Sequence, residues 1–284
     1  MATRTQVQAP GAAQAVSPMQ KFNMQIRGVN AQQYLTSVLG KKKDQFVTSL
    51  ISVVAANEAL QACEPMSLVY TALKATALNL PIDPSLGFAA MIPYKDTKAG
   101  VTNAQFQVQR NGWVELLQRT GKVITIVNLP VHEGELVHAN KFTDEYVFDE
   151  SKRTSDKVIG YMAYVKLNTG SAIPFEKTVY WTAEECIAHG KKYSQTFRKG
   201  YGLWVENQEA MCLKTVLKHL ITKYCPKSPE LLQAIFTDQA IYNSKGDAEW
   251  QDNPEANRPT DLAGAIADRK ENMRGAQPET QDMP

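Results

Sequence analysis

The sequence predicts an α+β fold in which helices come first, antiparallel strands paired as β-hairpins follow, and a long helix packs against them. Three observations carry this. Apolar residues recur every three or four positions through residues 31–80, apolar and amide side chains alternate strictly over 104–109, and a second helical repeat runs over 203–224. Of the 284 residues, 43% are hydrophobic and 21% charged, enough apolar surface to build a substantial core.

The elements follow in order. Residues 31–40 read as a helix stopped by Gly40, and 42–63 as a second, with Phe46, Leu50, Val53, Val54 and Leu60 as its stripe. Pro65 and Met66 start a third over 67–80, closed by Pro81. Residues 87–94 are strand-like, 95–103 form a polar loop, and 104–109 return as a strand. Its Ala104, Phe106 and Val108 share one face, and Gln105, Gln107 and Gln109 the other. A helix opens at Asn111 or Gly112 and runs to Gly121 on a Trp113, Leu116 and Leu117 stripe. Residues 123–131, 158–167 and 173–180 read as strands, the last two joined around Asn168, Thr169 and Gly170, and 144–156 is a charged excursion. Thr182 and Glu185 fit a capping box for a short helix toward His189, and the 203–224 helix stops before Pro226.

Charge is unevenly spread. The formal total is +2, but residues 238–284 hold ten acids against five bases, a net of −5, leaving +7 on the rest. That tail is poor in large apolar residues, as is the N-terminus, so the expected organisation is a disordered arm (1–25), a core (26–236) and an acidic, largely disordered tail (237–284). Weak helical spacing over 260–273 suits folding on a partner. Within the core, residues 187–227 carry eight bases and two acids, interleaved with Tyr193, Phe197, Tyr201, Trp204 and Tyr224. Cations with planar rings between them suit single-stranded nucleic acid, the cations neutralising phosphates and the rings stacking on bases. A solvated basic face over core aromatics is the alternative. On the 203–224 helix, Leu213, Val216, Leu217, Leu220 and Ile221 form one face, and Lys214, Thr215, Lys218 and Thr222 the other.

Other chemistry finds little support. There is no G-x-x-x-x-G-K-[ST] phosphate loop and no G-x-G-x-x-G. The four cysteines are far apart, which fits unpaired thiols, and the four histidines lack zinc spacing and read as packed or surface residues. The pairs Asp144/Glu145 and Asp149/Glu150 leave a metal nuclease as a rival reading. No apolar stretch is long enough to span a bilayer and no leader precedes the core, so a soluble, cytoplasmic protein is expected.

Two blocks carry a family resemblance. MSLVYTALKATALNLPIDPSLGFAAMIPY (66–94) with QFQVQRNGWVELLQRTGKV (105–123) resembles the central block of RecT-type phage recombinases, whose R-G-x-x-x-L-x-x-R-S/T-G element is matched by Gly112, Leu117, Arg119, Thr120 and Gly121, with Arg110 or Asn111 at its first arginine. Gly202-Leu203-Trp204, then Met211, Lys214, Thr215, Lys218, Lys223, Tyr224 and Pro226, is similar to the family's G-P-W and M-x-x-K-T-x-x-R-x-x-x-K pattern, and the HGKKYSQTF segment from His189 also fits. The resemblance covers about residues 30–230. It implies a RecT/Redβ-like annealing core, with a small twisted sheet and a long helix forming a DNA groove, and N-terminal helices that pack subunits. It further implies ATP-independent annealing of single-stranded DNA through a duplex intermediate, with no cofactor or catalytic centre. The protein would form a homo-oligomer, ring or filament, and work beside a phage exonuclease and a host single-strand-binding protein. A passive single-strand binder is the second rival. In the expected groove Lys191, Lys192, Arg198, Lys199, Lys214 and Lys218 neutralise phosphates, Arg110 adds a contact, and Gln105, Gln107, Gln109 and Asn111 supply amides. Thr215 and Lys223 belong to the same surface.

Overall fold

A computed structural model describes residues 16–96 and 99–250. Helix α1 (Pro18–Ile26) is held by a capping box in which the Ser17 hydroxyl accepts from the Gln20 N–H and the Gln20 side chain accepts from the Ser17 N–H. It buries Phe22 and Ile26 in the core. Residues 18–25 of the expected arm are therefore part of the folded body; residues 1–15 lie outside the described residues. Helix α2 (Val29–Leu39) ends at Gly40, as expected. The single helix expected over 42–63 is two: α3 (Lys43–Ala55) and α4 (Glu58–Gln61). Asn57 divides them, because its side chain accepts from the N–H groups of Ala59 and Leu60 and starts a new helix. Helix α5 (Pro65–Ala77) follows.

Strands β1 (Ala89–Asp96) and β2 (Val101–Val108) pair antiparallel with Met91 opposite Phe106, a longer hairpin with a shorter turn than expected. Ala104, Phe106 and Val108 are buried as expected, but Gln105 on the other face is buried too, so the burial does not follow the alternation throughout. Helix α5 lies on β2: Ser67 Oγ accepts from the Ala104 N–H at 2.5 Å and the Thr71 hydroxyl donates to the Ala104 carbonyl at 3.1 Å. Helix α6 (Arg110–Gln118) begins so close to the start of β1 that a Cβ on Gly112 would stand 2.1 Å from the Phe88 carbonyl oxygen.

Strands β3 (Val123–His132), β4 (Leu136–Asn140), β5 (Glu145–Phe148), β6 (Val158–Leu167) and β7 (Phe175–Thr182) come next. Part of the charged excursion is thus ordered, since β5 pairs with β4. After them lie α7 (Ala183–Tyr193), α8 (Gln195–Arg198), α9 (Leu203–Glu206), α10 (Gln208–Tyr224), α11 (Pro229–Thr237), β8 (Ile241–Tyr242) and β9 (Ala248–Glu249). The long helix expected from Leu203 is broken at Asn207, whose non-helical backbone (φ −143°, ψ 61°) separates α9 from α10.

Among the described residues the strands make three antiparallel sheets where one was expected: β1-β2-β8-β9, β3-β6-β7 and β4-β5. Helix α10 joins the layers, packing on β6, β7 and α6 through Val216, Leu217, Leu220 and Ile221, all buried. The architecture is α+β, helices on antiparallel sheets. The body also extends past the expected boundary at 236: Ile241 and Tyr242 are buried beside β2. Residues 251–284, including the weakly periodic 260–273, lie outside the described residues. All four cysteines are buried and unpaired. Among the described residues no helix is long and apolar enough to cross a membrane.

Candidate nucleic-acid interface

Helix α10 presents its polar face to a groove of about 600 Å³. One side is formed by β1, β2 and the Asp238–Gln239 segment, the other by the end of β7, α7, α8 and α9. The expected Lys214, Thr215, Lys218 and Thr222 face borders this space, but it is not a solvated surface. Lys214 is only 7% exposed, and its ammonium donates to Gln107 Oε1 at 3.3 Å. Gln107 Nε2 donates to Gln105 Oε1 at 2.8 Å, and Gln105 Nε2 to the Gln239 carbonyl at 3.0 Å. Lys218 donates to Asp238 Oδ2 at 2.5 Å and sits 5.5 Å above the Trp113 ring, while Asp238 Oδ1 accepts from the Val108 N–H at 2.8 Å. The groove therefore has two fixed cations. Burial lowers the pKa of Lys214 to about 8; Asp238 partly counters this and Lys218 reinforces it.

A row of rings, of which Tyr193, His189, Trp181 and His219 line the groove, runs along the same wall and ends on Tyr224. Tyr193 and His189 are 4.6 Å apart between centroids, His189 and Trp181 5.2 Å, Trp181 and His219 5.0 Å, and His219 and Tyr224 6.4 Å. Burial, aided by Lys218, His219 and Lys192, lowers the His189 pKa to about 4. Burial and then Lys223 lower that of His219, against the pull of Asp144. Both imidazoles are thus neutral at pH 7 and present flat ring surfaces. The sequence marks the histidines only as packed or surface residues and carries no signal for Trp181 at all. Each of the three comes from a different element, so only their shared position in the fold shows the row.

The other expected site residues are placed differently. Lys191 and Lys192 are exposed at the end of α7. Arg198 spends its guanidinium on their carbonyls, Nη1 donating to Lys191 O at 3.1 Å and Lys192 O at 2.8 Å, which caps α7. Lys199 is exposed after α8, and Lys223 is exposed with its ammonium 5.3 Å from the Tyr224 ring. Arg110 lies outside the groove lining, its Nε and Nη2 donating to Asn128 Oδ1 at 2.9 Å and Asn128 O at 3.1 Å. Asn128 in turn donates to the Met162 carbonyl, so Arg110 ties α6 to the β3–β6 pair. Asn111 donates to the Leu86 carbonyl at 2.9 Å, and it and Gln109 do not line the groove. The expected row of free amides is instead a hydrogen-bonded pair, Gln105 and Gln107, held by Lys214. Thr215 lines the groove while its hydroxyl bonds back to the Met211 carbonyl.

The first motif is likewise a brace. Arg119 donates to Glu115, to the Leu78 carbonyl at 2.8 Å and to the Asn79 carbonyl at 3.0 Å, fastening α6 to the end of α5. The acidic pairs are engaged elsewhere: Asp144 pairs with Lys177, and Asp149 accepts from both the N–H and the hydroxyl of Ser151. Among the described residues no three His, Cys, Asp or Glu side chains converge as a metal site.

Comparison with known proteins agrees with this frame. The chain is 41% identical over 201 residues to the uncharacterized protein YqaK of Bacillus subtilis (strain 168), covering 71% of this chain and 66% of that protein. It is 26% identical over 183 residues to Protein RecT of Escherichia coli (strain K12), covering 64% and 65%. The chain thus spans about two thirds of the length of the curated relatives it matches. The model of the RecT family matches residues 44–256, from the start of α3 past β9, and the chain belongs to that family.

Proposed function

We propose that the groove holds single-stranded DNA and that the protein pairs complementary strands without ATP. The observation that carries this reading is the combination along α10: two fixed ammonium groups beside a row of neutral rings. Such a surface grips phosphates without reading sequence and gives unpaired bases a stacking face, each stack being worth about 1–3 kcal/mol. A strand held by its backbone keeps base edges open to a complement. Pairing then supplies the driving force, with stacking averaging about 1.4 kcal/mol per base-pair step, and the protein supplies alignment and charge neutralisation.

Lys214 and Lys218 hold the strand in the groove, and Lys191, Lys192 and Lys199 at its rim attract it. Arg110, Arg198 and Asn111 act through the frame, by positioning α6 and α7. The protein works as a homo-oligomer, ring or filament, in the cytoplasm of a bacterial host, beside a phage exonuclease that makes single strands and a host single-strand-binding protein. It needs no cofactor.

The test is a fluorescence-pairing assay with two complementary labelled oligonucleotides, free of nucleotide. Faster pairing than in buffer supports the reading. Tight coating with no acceleration identifies a passive binder, and magnesium-dependent shortening of the strands identifies a nuclease; either result overturns it.

A further inference from the structure

Among the described residues, Asp238 is the one acid in the lining of a groove that also holds Lys214 and Lys218. Its side chain is 1% exposed, and it is fixed at both oxygens, Oδ1 by the Val108 N–H and Oδ2 by Lys218. The backbone around it is equally constrained: the Gln239 N–H donates to the Phe106 carbonyl, and the Phe106 N–H to the Ala240 carbonyl, each at 2.8 Å. The carboxylate therefore cannot swing away without freeing the strand that runs beside β2. Lys218 is different, with 31% of its side chain exposed. An ammonium has three N–H donors and the bond to Asp238 uses one, so the cation is shared between a permanent protein anion and whatever enters the groove.

Resting on the reading of the groove as a single-strand site, we infer that Asp238 is a built-in competing anion that weakens the hold of Lys218 on a DNA phosphate and so sets how readily a bound strand lets go. An incoming phosphate meets a Lys218 charge already offset by Asp238, and it meets the Asp238 charge as a repulsion. For a protein that pairs strands of any sequence, a deliberately moderate grip lets misregistered strands leave and try again.

The variant Asp238→Asn keeps an oxygen for the Val108 N–H and removes the charge. With a fluorescently labelled thymidine oligonucleotide as probe, it is expected to bind about three- to thirtyfold more tightly at moderate salt, the range for losing one repelling charge at ion-pair distance in a groove open to water. Its log affinity should also fall more steeply with log salt, by about 0.7, the value for one extra phosphate contact on a single strand. Asp156→Asn, the same charge change outside the groove lining, should leave affinity within twofold of wild type, about the reach of a screened distant charge. If Asp238→Asn does not fold, as read from its far-ultraviolet spectrum and urea transition, Asp238→Ser measures the same quantity. Unchanged or weaker binding by a folded Asp238 variant, or equal tightening by Asp156→Asn, overturns the inference. Lys214→Gln separates the two layers. If it weakens binding while the Asp238 variants do not strengthen it, the groove reading stands and the competing anion falls; if it leaves binding unchanged, the groove reading itself fails.

Discussion

Lys214 and Lys218 on α10, and Lys191 and Lys192 on α7, carry the same charge near the same groove, yet they are held in opposite ways. The α10 pair is built in: Lys214 is buried on Gln107, and Lys218 is clamped between Asp238 and the face of Trp113. The α7 pair stands in solvent at the end of a helix whose last carbonyls are already occupied by Arg198. Fixed cations in a partly desolvated site have short reach, strong local fields and a folding role. Exposed lysines have long reach, are screened by salt and contribute almost nothing to stability. Under the proposed function, the groove divides the task of binding an anionic chain between a floor that positions and a rim that attracts.

The largest expected effect tests whether the floor belongs to the fold. Lys218→Met leaves the Asp238 carboxylate 1% exposed and unpaired, which costs about 3–5 kcal/mol. Adding Asp238→Asn removes the stranded charge and should restore most of that loss. Urea midpoints for wild type, both single variants and the double give the coupling. A Lys218→Met variant as stable as wild type would put this cation in the same class as the rim.

Next in size is the seam between rim and floor. Gly190 of α7 faces Trp204 of α9, and a Cβ there would stand 2.7 Å from the Trp204 ring. Trp204 in turn stacks on Phe197 at 5.5 Å. Gly190→Ala is thus expected to cost about 1–3 kcal/mol by overpacking and to shift the tryptophan fluorescence, because the indole must move. A neutral result would mean that α7 can slide on α9 and that the rim is not rigidly joined to the floor.

The sequence made one half of this contrast legible and hid the other. Periodicity reports which face of an element is apolar, so the burial of Ala104, Phe106 and Val108, the Thr182–Glu185 capping box and the apolar face of α10 were all readable locally. What the polar face meets is a long-range matter. Asp238 counted as one more acid in a solvated tail, yet it pairs with a lysine twenty residues earlier in the chain. Arg110 and Arg198 looked like phosphate ligands because an arginine shows its charge in sequence but not its partner, which here is Asn128 for one and two helix-end carbonyls for the other. Helix α1 is masked by its polar composition despite the Ser17–Gln20 box, whereas apolar α11, with the Ser228 cap before Pro229 and Leu231 and Ala234 on its buried face, carries its signal locally. Gly112, Arg119 and Gly121, which helped to carry the family resemblance, prove to serve the frame: Gly112 lets α6 approach Phe88, Arg119 binds α6 to α5, and Gly121 turns the chain at φ +68°.

A smaller effect separates floor from rim by pH. The pKa of Lys214 is about 8 in the folded protein, below its ordinary value of 10.5. Between those values the unfolded chain holds a proton that the folded chain has released, so raising the pH through this window favours the folded state. DNA binding moves the other way. A phosphate restores the Lys214 charge, so above pH 8 binding takes up a proton and affinity falls, approaching about tenfold per pH unit. Titrating oligonucleotide affinity from neutral to alkaline pH should show this fall in wild type and its loss in Lys214→Gln. A decline that survives in Lys214→Gln would assign the pH dependence to another group. His189, with a pKa of about 4, adds the acid-side counterpart: stability falls as the pH drops from about 6.5 toward 4, where the unfolded imidazole takes up the proton first.

The smallest expected effect belongs to the rim. Lys191→Ala with Lys192→Ala removes two exposed ammonium groups whose backbone carbonyls still serve Arg198, so α7 keeps its cap and the urea midpoint should not move. At low salt the association rate should drop by about two- to fivefold, because steering by solvent-exposed charge acts on encounter and is screened within a Debye length of about 10 Å at 0.1 M salt. The dissociation rate should stay near wild type, since the floor contacts that hold the strand are intact. Stopped-flow mixing across a salt series reads both rates at once. Convergence of the variant with wild type as salt rises confirms steering, whereas a faster dissociation that persists in high salt would show the rim gripping phosphates directly and would erase the division between the two sets of lysines.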